Sequence, residues 1–235
     1  MQLVAQAVSP TDFASQRQTM VDCQVRTFDV TDQDVIARFA DVPRELFVPG
    51  PLRSLAYSDA PLEIHSSDGE TRCLLAPLVL ARMIQGANVA PSDRILDVAG
   101  AGGYSAAVLA GLGREVVALE SSAELSAMAA QNFAVLGISN ATTVQAPLDG
   151  SAGLDGAFDL ILVNGAVEAG LEHLLALLAP GGRLVAIVKS VSDPTGRAAK
   201  AVRFDRVGAE SSRRALFDAA APVLAPFRAK PAFVF

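Results

Sequence analysis

The chain has 235 residues, 51% of them hydrophobic, and a formal net charge of −6. This length can bury one sizeable core, and the acidic balance argues against a nucleic-acid-binding surface, because phosphate contacts need clustered lysine and arginine. Cys23 and Cys73 lie outside any metal-ligand spacing, and no uninterrupted apolar run reaches the roughly 20 residues of a membrane span. We therefore expect a cytoplasmic protein with no metal, no nucleic-acid partner and no membrane partner.

The N-terminal third is expected to combine helices with a loop-rich segment. Apolar spacing predicts a helix over residues 11–28, and Thr31 stands where an N-cap would begin a second helix that runs to about residue 41. Prolines interrupt residues 43–73, which predicts a crossing segment with at most short helical turns. An apolar helix is expected to resume over residues 74–85.

From residue 94 onward, short apolar or β-branched runs alternate with small-residue helices. The predicted strands are 94–98, 115–119, 141–145, 158–163 and 183–188, and the predicted helices are 103–111, 123–136 and about 168–178. Such alternation gives parallel strands that are joined by right-handed crossovers.

After Ser190 the alternation stops. Short strands are predicted at 201–207 and 232–235, with a helix near 213–221 between them. This ending favours an antiparallel edge on an otherwise parallel sheet. The fold class is therefore α/β.

A small-residue turn follows the first strand of the series, where residues 97–105 read Asp-Val-Ala-Gly-Ala-Gly-Gly-Tyr-Ser. Such a turn between a strand and a helix lets a ligand approach the backbone and the helix N-terminus closely. Glu120 closes the next strand, where a carboxylate can accept hydrogen bonds from ribose hydroxyls. Together the two features predict a nucleotide-containing cofactor.

Nicotinamide dehydrogenases share these features, so the two classes of enzyme must be separated. A dehydrogenase of that type needs a second βαβαβ half and a further substrate domain, and too little regular sequence remains after Ser190. A methyltransferase is therefore the favoured interpretation.

Five blocks of the sequence are distinctive, three near the N-terminus at residues 20–26, 42–49 and 56–62, and two later at 158–163 and 178–185. The first three resemble the N-terminal blocks of the protein-L-isoaspartate O-methyltransferases, and the last two resemble the later strands of that family. The likeness covers about residues 17–190. It implies a Rossmann-like methyltransferase fold with a mainly parallel seven-stranded sheet, an antiparallel edge and an N-terminal helical extension. Residues 1–73 would form that extension, packed on a methyltransferase core of 74–235 within one structural domain.

The resemblance also implies S-adenosylmethionine as the cofactor. The residues it places in the cofactor site are Asp97, Ala99, Gly100, Ala101, Gly103, Tyr104, Glu120, Ser121, Pro147, Leu148 and Asn164. The family has glycine at the positions of Ala99 and Ala101, and residues 145–148 replace an acidic Gly-Asp-Gly stretch that would lie beside the adenine.

The family segment Gly-Gln-Thr-Ile-Ser-Gln-Pro presents a hydroxyl to the substrate carboxylate, and residues 69–77 read Gly-Glu-Thr-Arg-Cys-Leu-Leu-Ala-Pro. Matched from the glycine, Thr71 keeps the threonine and Cys73 takes the place of the serine. Matched from the proline, Leu75 takes that place. The catalytic candidates are Thr71, Arg72 and Cys73, and Arg72 is the preferred carboxylate partner because a guanidinium can bind through two parallel hydrogen bonds.

Two hypotheses for function remain open. In the first, a protein or peptide that carries isoaspartate is methylated on its carboxylate, which is ionised at neutral pH and needs no general base. In the second, the chain is a family relative without repair activity that acts as a binding or regulatory module. The replaced serine, the two alanines and the lost acidic stretch favour the second. In either case we expect a monomer or a homodimer.

Overall fold

The computed structural model describes residues 12–190, 199–208 and 210–229. Helix α1 spans Phe13–Met20 and continues into a π-helical turn at Val21–Val25, so the helix expected over 11–28 is confirmed. Helix α2 spans Gln33–Asp41.

The N-cap of α2 is Asp32, and the prediction of Thr31 was wrong by one residue. The Asp32 carboxylate accepts hydrogen bonds from the backbone N–H groups of Asp34 and Val35, at 3.0 and 3.2 Å. The Thr31 backbone N–H instead donates to the side-chain oxygen of Gln85, at 2.7 Å. A long-range contact therefore sets where this helix begins.

The segment from 43 to 73 contains the short helical turns that its prolines predict, at Arg44–Phe47 and Gly50–Leu55. It also contains an antiparallel hairpin of strands β1, Leu62–His65, and β2, Thr71–Leu74, which sequence analysis did not foresee. Because residue 74 pairs in this hairpin, helix α3 begins at its N-terminal proline and spans Pro77–Ala87, not 74–85.

The remaining elements form one seven-stranded sheet with helices on both faces. Its strands are β3 Arg94–Val98, β4 Glu115–Glu120, β5 Ala141–Gln145, β6 Phe158–Val167, β7 Leu178–Lys189, β8 Ala199–Val207 and β9 Glu210–Asp218. Their spatial order is β5-β4-β3-β6-β7-β8-β9; the first five are parallel, and the pairings of β7 with β8 and β8 with β9 are antiparallel. The connecting helices are α4 Tyr104–Ala110, α5 Ala123–Val135 and α6 Glu172–Ala176. The predicted fold class is confirmed.

Two predictions near the C-terminus were wrong. The helix expected near 213–221 is strand β9, whose side chains are mostly exposed and which pairs along the open edge of β8. The helix expected over 168–178 shortens to α6, because β6 extends to Val167 and β7 begins at Leu178. The strand predicted at 232–235 lies outside the described residues.

Apolar side chains cover both faces of the central strands. Ile95, Leu160 and Ile187 pack toward the N-terminal helices, whereas Leu96 and Ile161 belong to a second cluster on the opposite face. Strands buried on both faces read as continuous apolar runs, which is why the sequence marks them clearly. Within the described residues, no helix is long and apolar enough to span a membrane.

The order of the strands also places the candidate site. The chain leaves β3 toward β4 and β5, and then returns to β6 on the other side of β3. Ligands of open α/β sheets bind at the carboxyl ends of the strands where the order reverses in this way. The turn after β3 and the end of β6 lie at that point.

Candidate active site

The turn between β3 and α4 keeps a glycine-like backbone although two of its residues are alanines. Ala99 and Ala101 have φ values of 60° and 53°, and Gly103 has 90°. The left-handed conformation costs a residue with a Cβ roughly 1–2 kcal/mol. A Cβ on Gly100 would lie 2.8 Å from the Ser105 hydroxyl oxygen and even closer to the Asp97 carboxylate. The chain therefore holds this turn in the shape that lets a ligand approach its backbone.

The Asp97 side chain stabilises the turn through hydrogen bonds. Its carboxylate is completely buried and accepts hydrogen bonds from the Ser105 hydroxyl, at 2.6 Å, and the Asn164 side-chain amide, at 2.8 Å. Asn164 lies in β6, so this bond joins the two strands at the point of reversal. Burial raises the pKa of Asp97 to about 6, and the two hydrogen bonds oppose that rise.

Glu120 ends β4 beside the turn, with both carboxylate oxygens engaged. One oxygen accepts from the Ala101 backbone N–H at 2.8 Å, and the other accepts from Arg72 Nε at 2.9 Å. The side chains of Glu120 and Arg72 are each only 2% exposed. Burial raises the pKa of Glu120 to about 7, against the opposing effect of the Arg72 charge. The turn and the strand-end acid that sequence analysis paired are thus in direct contact.

Arg72 reaches Glu120 from strand β2 of the hairpin. Its Nη2 donates to the Ser121 hydroxyl at 2.6 Å, and its Nη1 donates to the Glu70 carboxylate at 2.8 Å. The Arg72 guanidinium therefore lies against Glu120, the predicted cofactor-binding carboxylate, and its hydrogen bonds are all to groups of this protein. Its role as partner of the substrate carboxylate stays a prediction.

Hydrogen bonds connect the tip of the hairpin to the start of α5. The Ser67 backbone N–H donates to the Glu124 carboxylate at 2.6 Å. The Ser122 hydroxyl, which also caps α5, donates to the Asp68 carboxylate at 2.7 Å. Together with Arg72, these contacts hold the hairpin over the junction between β4 and α5.

The other two catalytic candidates differ in exposure. The Thr71 hydroxyl lies 3.0 Å from Nδ1 of His65 on the exposed face of the hairpin. Cys73 is buried, and burial raises the pKa of its thiol to about 11, so the thiol is protonated at neutral pH. Cys73 is therefore not a thiolate nucleophile in this state.

A cavity of about 420 Å³ separates the hairpin from the C-terminal segment. Its lining includes Glu70, Thr71, Arg72 and Cys73 on one side and Arg228 on the other. The exposed Arg228 guanidinium has no hydrogen-bond or ion-pair partner within the part of the chain that the structure describes. In the sequence Arg228 is one of nine basic residues between 189 and 235, a segment whose charge suits an anionic substrate, and only the fold brings it opposite the hairpin.

The remaining predicted cofactor residues are spread around the turn. The Tyr104 ring is buried and packs edge-on against Phe39 and Phe47, with the Arg44 guanidinium 4.7 Å from its centroid, so its side chain points into the N-terminal region. Pro147 is exposed and Leu148 is buried after β5. Their roles stay predictions. Ser105, which donates to Asp97, was not among the predicted site residues, although it is the last residue of the small-residue stretch 97–105.

Comparisons with known proteins bear on this site. The sequence model of the protein-L-isoaspartate(D-aspartate) O-methyltransferase family matches residues 15–212. The protein-L-isoaspartate O-methyltransferase of Koribacter versatilis is 39% identical over 188 residues, which cover 78% of this chain and 82% of the relative. The one from Methanoregula boonei is 35% identical over 179 residues, which cover 75% and 80%.

Two solved structures support the fold. A protein-L-isoaspartate O-methyltransferase superposes with a TM-score of 0.75 at 23% identity, over 90% of this chain and 67% of that one. A putative enzyme of this kind from Plasmodium falciparum, solved in complex with S-adenosyl-L-homocysteine, gives a TM-score of 0.70 at 20% identity, over 92% and 100%.

Proposed function

The chain belongs to the protein-L-isoaspartate O-methyltransferase family, and we propose that it transfers the methyl group of S-adenosylmethionine to the free carboxylate of an isoaspartyl residue in a protein or peptide. The observation that carries this proposal is the placement of Glu120 at the end of β4, hydrogen-bonded to the Ala101 N–H of a turn in glycine-like geometry. This is the arrangement that a ribose-bearing cofactor requires at the point of strand reversal.

The residues at this point fit that cofactor in type and position. Glu120 is the carboxylate proposed to accept the ribose hydroxyls, and in this structure its two oxygens accept from the Ala101 N–H and from Arg72 Nε. Asp97 and Asn164 hold the turn beside it. We assign cofactor contacts to this turn and its neighbours, as the family resemblance implies. When bound, the cofactor supplies a methyl group on a positively charged sulfur.

The substrate is proposed to bind in the cavity between the hairpin and the C-terminal segment. Arg72 lines this cavity and also contacts Glu120, so the cavity adjoins the cofactor site. A substrate carboxylate is already ionised at neutral pH, and positioning it supplies the main catalytic effect. The Arg228 guanidinium, which has no side-chain partner among the described residues, would hold it, with Thr71, Arg72 and Cys73 forming the facing wall.

The proposal also covers the location, the oligomeric state and the domain organisation of the protein. We infer a cytoplasmic protein that acts as a monomer or homodimer, without a nucleic-acid partner, and its acidic net charge supports the last point. The N-terminal residues 1–73 and the core 74–235 are taken as one structural domain, because Met20 and Phe39 pack in the same apolar cluster as Ile95 and Leu160.

The test is a methyl-transfer assay with labelled S-adenosylmethionine and two peptides that differ only in an isoaspartyl or an aspartyl linkage. We expect label in the isoaspartyl peptide alone, as a methyl ester. Arg228→Gln should raise KM for that peptide about tenfold or more, because a charge-assisted hydrogen bond is worth roughly 1.5–3 kcal/mol. Arg214→Gln, on the exposed face of β9, is the matched control and should leave KM unchanged.

Equal labelling of both peptides would refute the assignment of isoaspartate as the substrate. Absence of labelling in an enzyme that binds S-adenosylhomocysteine would refute the activity and leave the cofactor site standing.

A further inference from the structure

The carboxylate that should receive the cofactor ribose is covered by a side chain of this protein. Arg72 Nε lies 2.9 Å from one Glu120 oxygen, and only 2% of the Glu120 side chain is exposed. A ribose hydroxyl cannot reach that oxygen while the guanidinium lies against it. The carboxylate that Arg72 covers, that of Glu120, is thus the one proposed to bind the cofactor ribose.

We propose that Arg72 is an internal competitor of S-adenosylmethionine for the Glu120 carboxylate, and that the guanidinium must leave Glu120 before the cofactor binds with full affinity. This inference rests on the proposed function, since it takes Glu120 as the ribose acceptor. It assigns to Arg72 control over cofactor affinity, which the family resemblance does not imply.

The guanidinium has alternative partners that let it leave at moderate cost. Glu70 is 40% exposed and already accepts from Nη1 at 2.8 Å, so Arg72 can keep this ion pair while its Nε turns away. Arg72 also lines the cavity of about 420 Å³, which gives the displaced group room. No rearrangement of the seven-stranded sheet is required.

The hairpin that carries Arg72 also has features that allow it to open locally. It is a separate two-stranded sheet of four-residue strands, and such pairs are marginally stable by themselves. Its tip is held by the polar contacts of Ser67 with Glu124 and of Asp68 with Ser122. Buried Leu62 and Leu74, which pair at the base of the hairpin, hold that base on the core, so the tip can open while the base stays.

The competition has a measurable consequence. If the binding-competent state is only a fraction of the free protein, the apparent affinity for the cofactor falls by that fraction. A hydrogen bond to a charged group is worth enough to change an equilibrium by on the order of ten- to a hundredfold. Removing Arg72 should therefore tighten cofactor binding by a factor of that order.

The first experiment is calorimetric titration of S-adenosylhomocysteine into the full chain and into Arg72→Met. The control is Arg94→Met, which breaks an ion pair with Glu115 at the amino ends of β3 and β4, away from the site. We expect Arg72→Met to bind about ten- to a hundredfold more tightly than the unaltered chain and Arg94→Met to bind equally.

The outcomes separate the two proposals. An unaltered chain that binds while Arg72→Met binds equally or more weakly would overturn the competition and leave the cofactor site in place. A failure of both proteins to bind would overturn the cofactor site together with this inference. Binding by Arg72→Met alone would support both.

A second measurement does not need the variant, which leaves a buried carboxylate unpaired and could fold poorly. Hydrogen exchange of the unaltered chain should change in opposite directions on adding S-adenosylhomocysteine. We expect amides of the hairpin tip, 66–72, to exchange faster and those of the turn, 99–105, more slowly. Slower exchange in both segments would show that the cofactor closes the hairpin, and would overturn the proposal.

Discussion

The two buried acids at the strand ends have different kinds of hydrogen-bond partner. Glu120 has a cationic partner in Arg72, whereas Asp97 is held by the neutral donors Ser105 and Asn164. An ionised carboxylate loses its hydration when it is buried, and neutral donors replace that hydration only in part. Asp97 therefore holds its proton more tightly in the folded protein than in the unfolded chain.

The raised pKa of Asp97 predicts a pH dependence of stability. The pKa of Asp97 rises from its usual 3.8 to about 6, so its stabilising contribution is fully present below pH 3.8 and is lost as the pH rises through 6. The loss amounts to about 3 kcal/mol, since one pKa unit corresponds to about 1.4 kcal/mol. Relative to Asp97→Asn, the unaltered protein should lose that much unfolding free energy between about pH 3 and 7, as measured by urea denaturation.

Asp149 provides a control of opposite sign. Its pKa is lowered by hydrogen bonds with Ser151, so its contribution is present above the usual pKa and is lost as the pH falls. Asp149→Asn should therefore differ from the unaltered protein in the opposite direction. Parallel stability curves for Asp97→Asn and the unaltered protein would contradict the buried-acid interpretation.

At the scale of elements, local signals located most helices and strands but left their ends to contacts between distant segments. The start of α2 shifts from Thr31 to Asp32 because the Gln85 side chain in α3 accepts the Thr31 and Asp32 N–H groups. The hairpin of β1 and β2 is another example, because its four-residue strands carry too short a pattern to stand out in sequence.

The corrected cap of α2 can be tested by mutation. Asp32→Ala removes the carboxylate that accepts from Asp34 and Val35, and should lower the unfolding free energy by about 1 kcal/mol. Thr31→Ala is the matched control, and should change stability by less than about 0.5 kcal/mol because the hydrogen bonds of Thr31 are made by its backbone N–H and carbonyl, which alanine keeps. Chemical denaturation of both variants provides the measurement, and a larger effect at Thr31 would reverse the assignment.

At the scale of the molecule, Arg183 joins the sheet to the helical layer. At the start of the parallel part of β7, it donates to the carbonyls of Ala87 and Asn88 at 2.6 and 2.7 Å and to the Asp93 carboxylate at 2.6 Å. These bonds connect β7 to the loop between α3 and β3. A single buried guanidinium thereby fixes how the amino ends of the strands meet the helices.

Breaking this connection should weaken the whole fold. Arg183→Met leaves Asp93 buried without its charge partner, and we expect a loss of about 3–5 kcal/mol of unfolding free energy. Lys200→Met removes an ion pair with Asp218 that is exposed to solvent and screened by it, and should leave stability nearly unchanged. Thermal and urea unfolding would report both, and similar losses in the two variants would argue against a connecting role for Arg183.

The sequence by itself determined the α/β class, the parallel core of the sheet and the pairing of the turn after β3 with Glu120. Each of these depends on local features: a hydrophobic period, a run of small residues, or an acid at a strand end. Only the tertiary structure decided that residues 210–218 form a strand, that Arg72 lies on Glu120 and that Arg228 faces the hairpin. These facts arise from contacts between distant segments, such as the 48 positions between Arg72 and Glu120. Local sequence patterns carry no record of such contacts, because each depends on how separate elements pack.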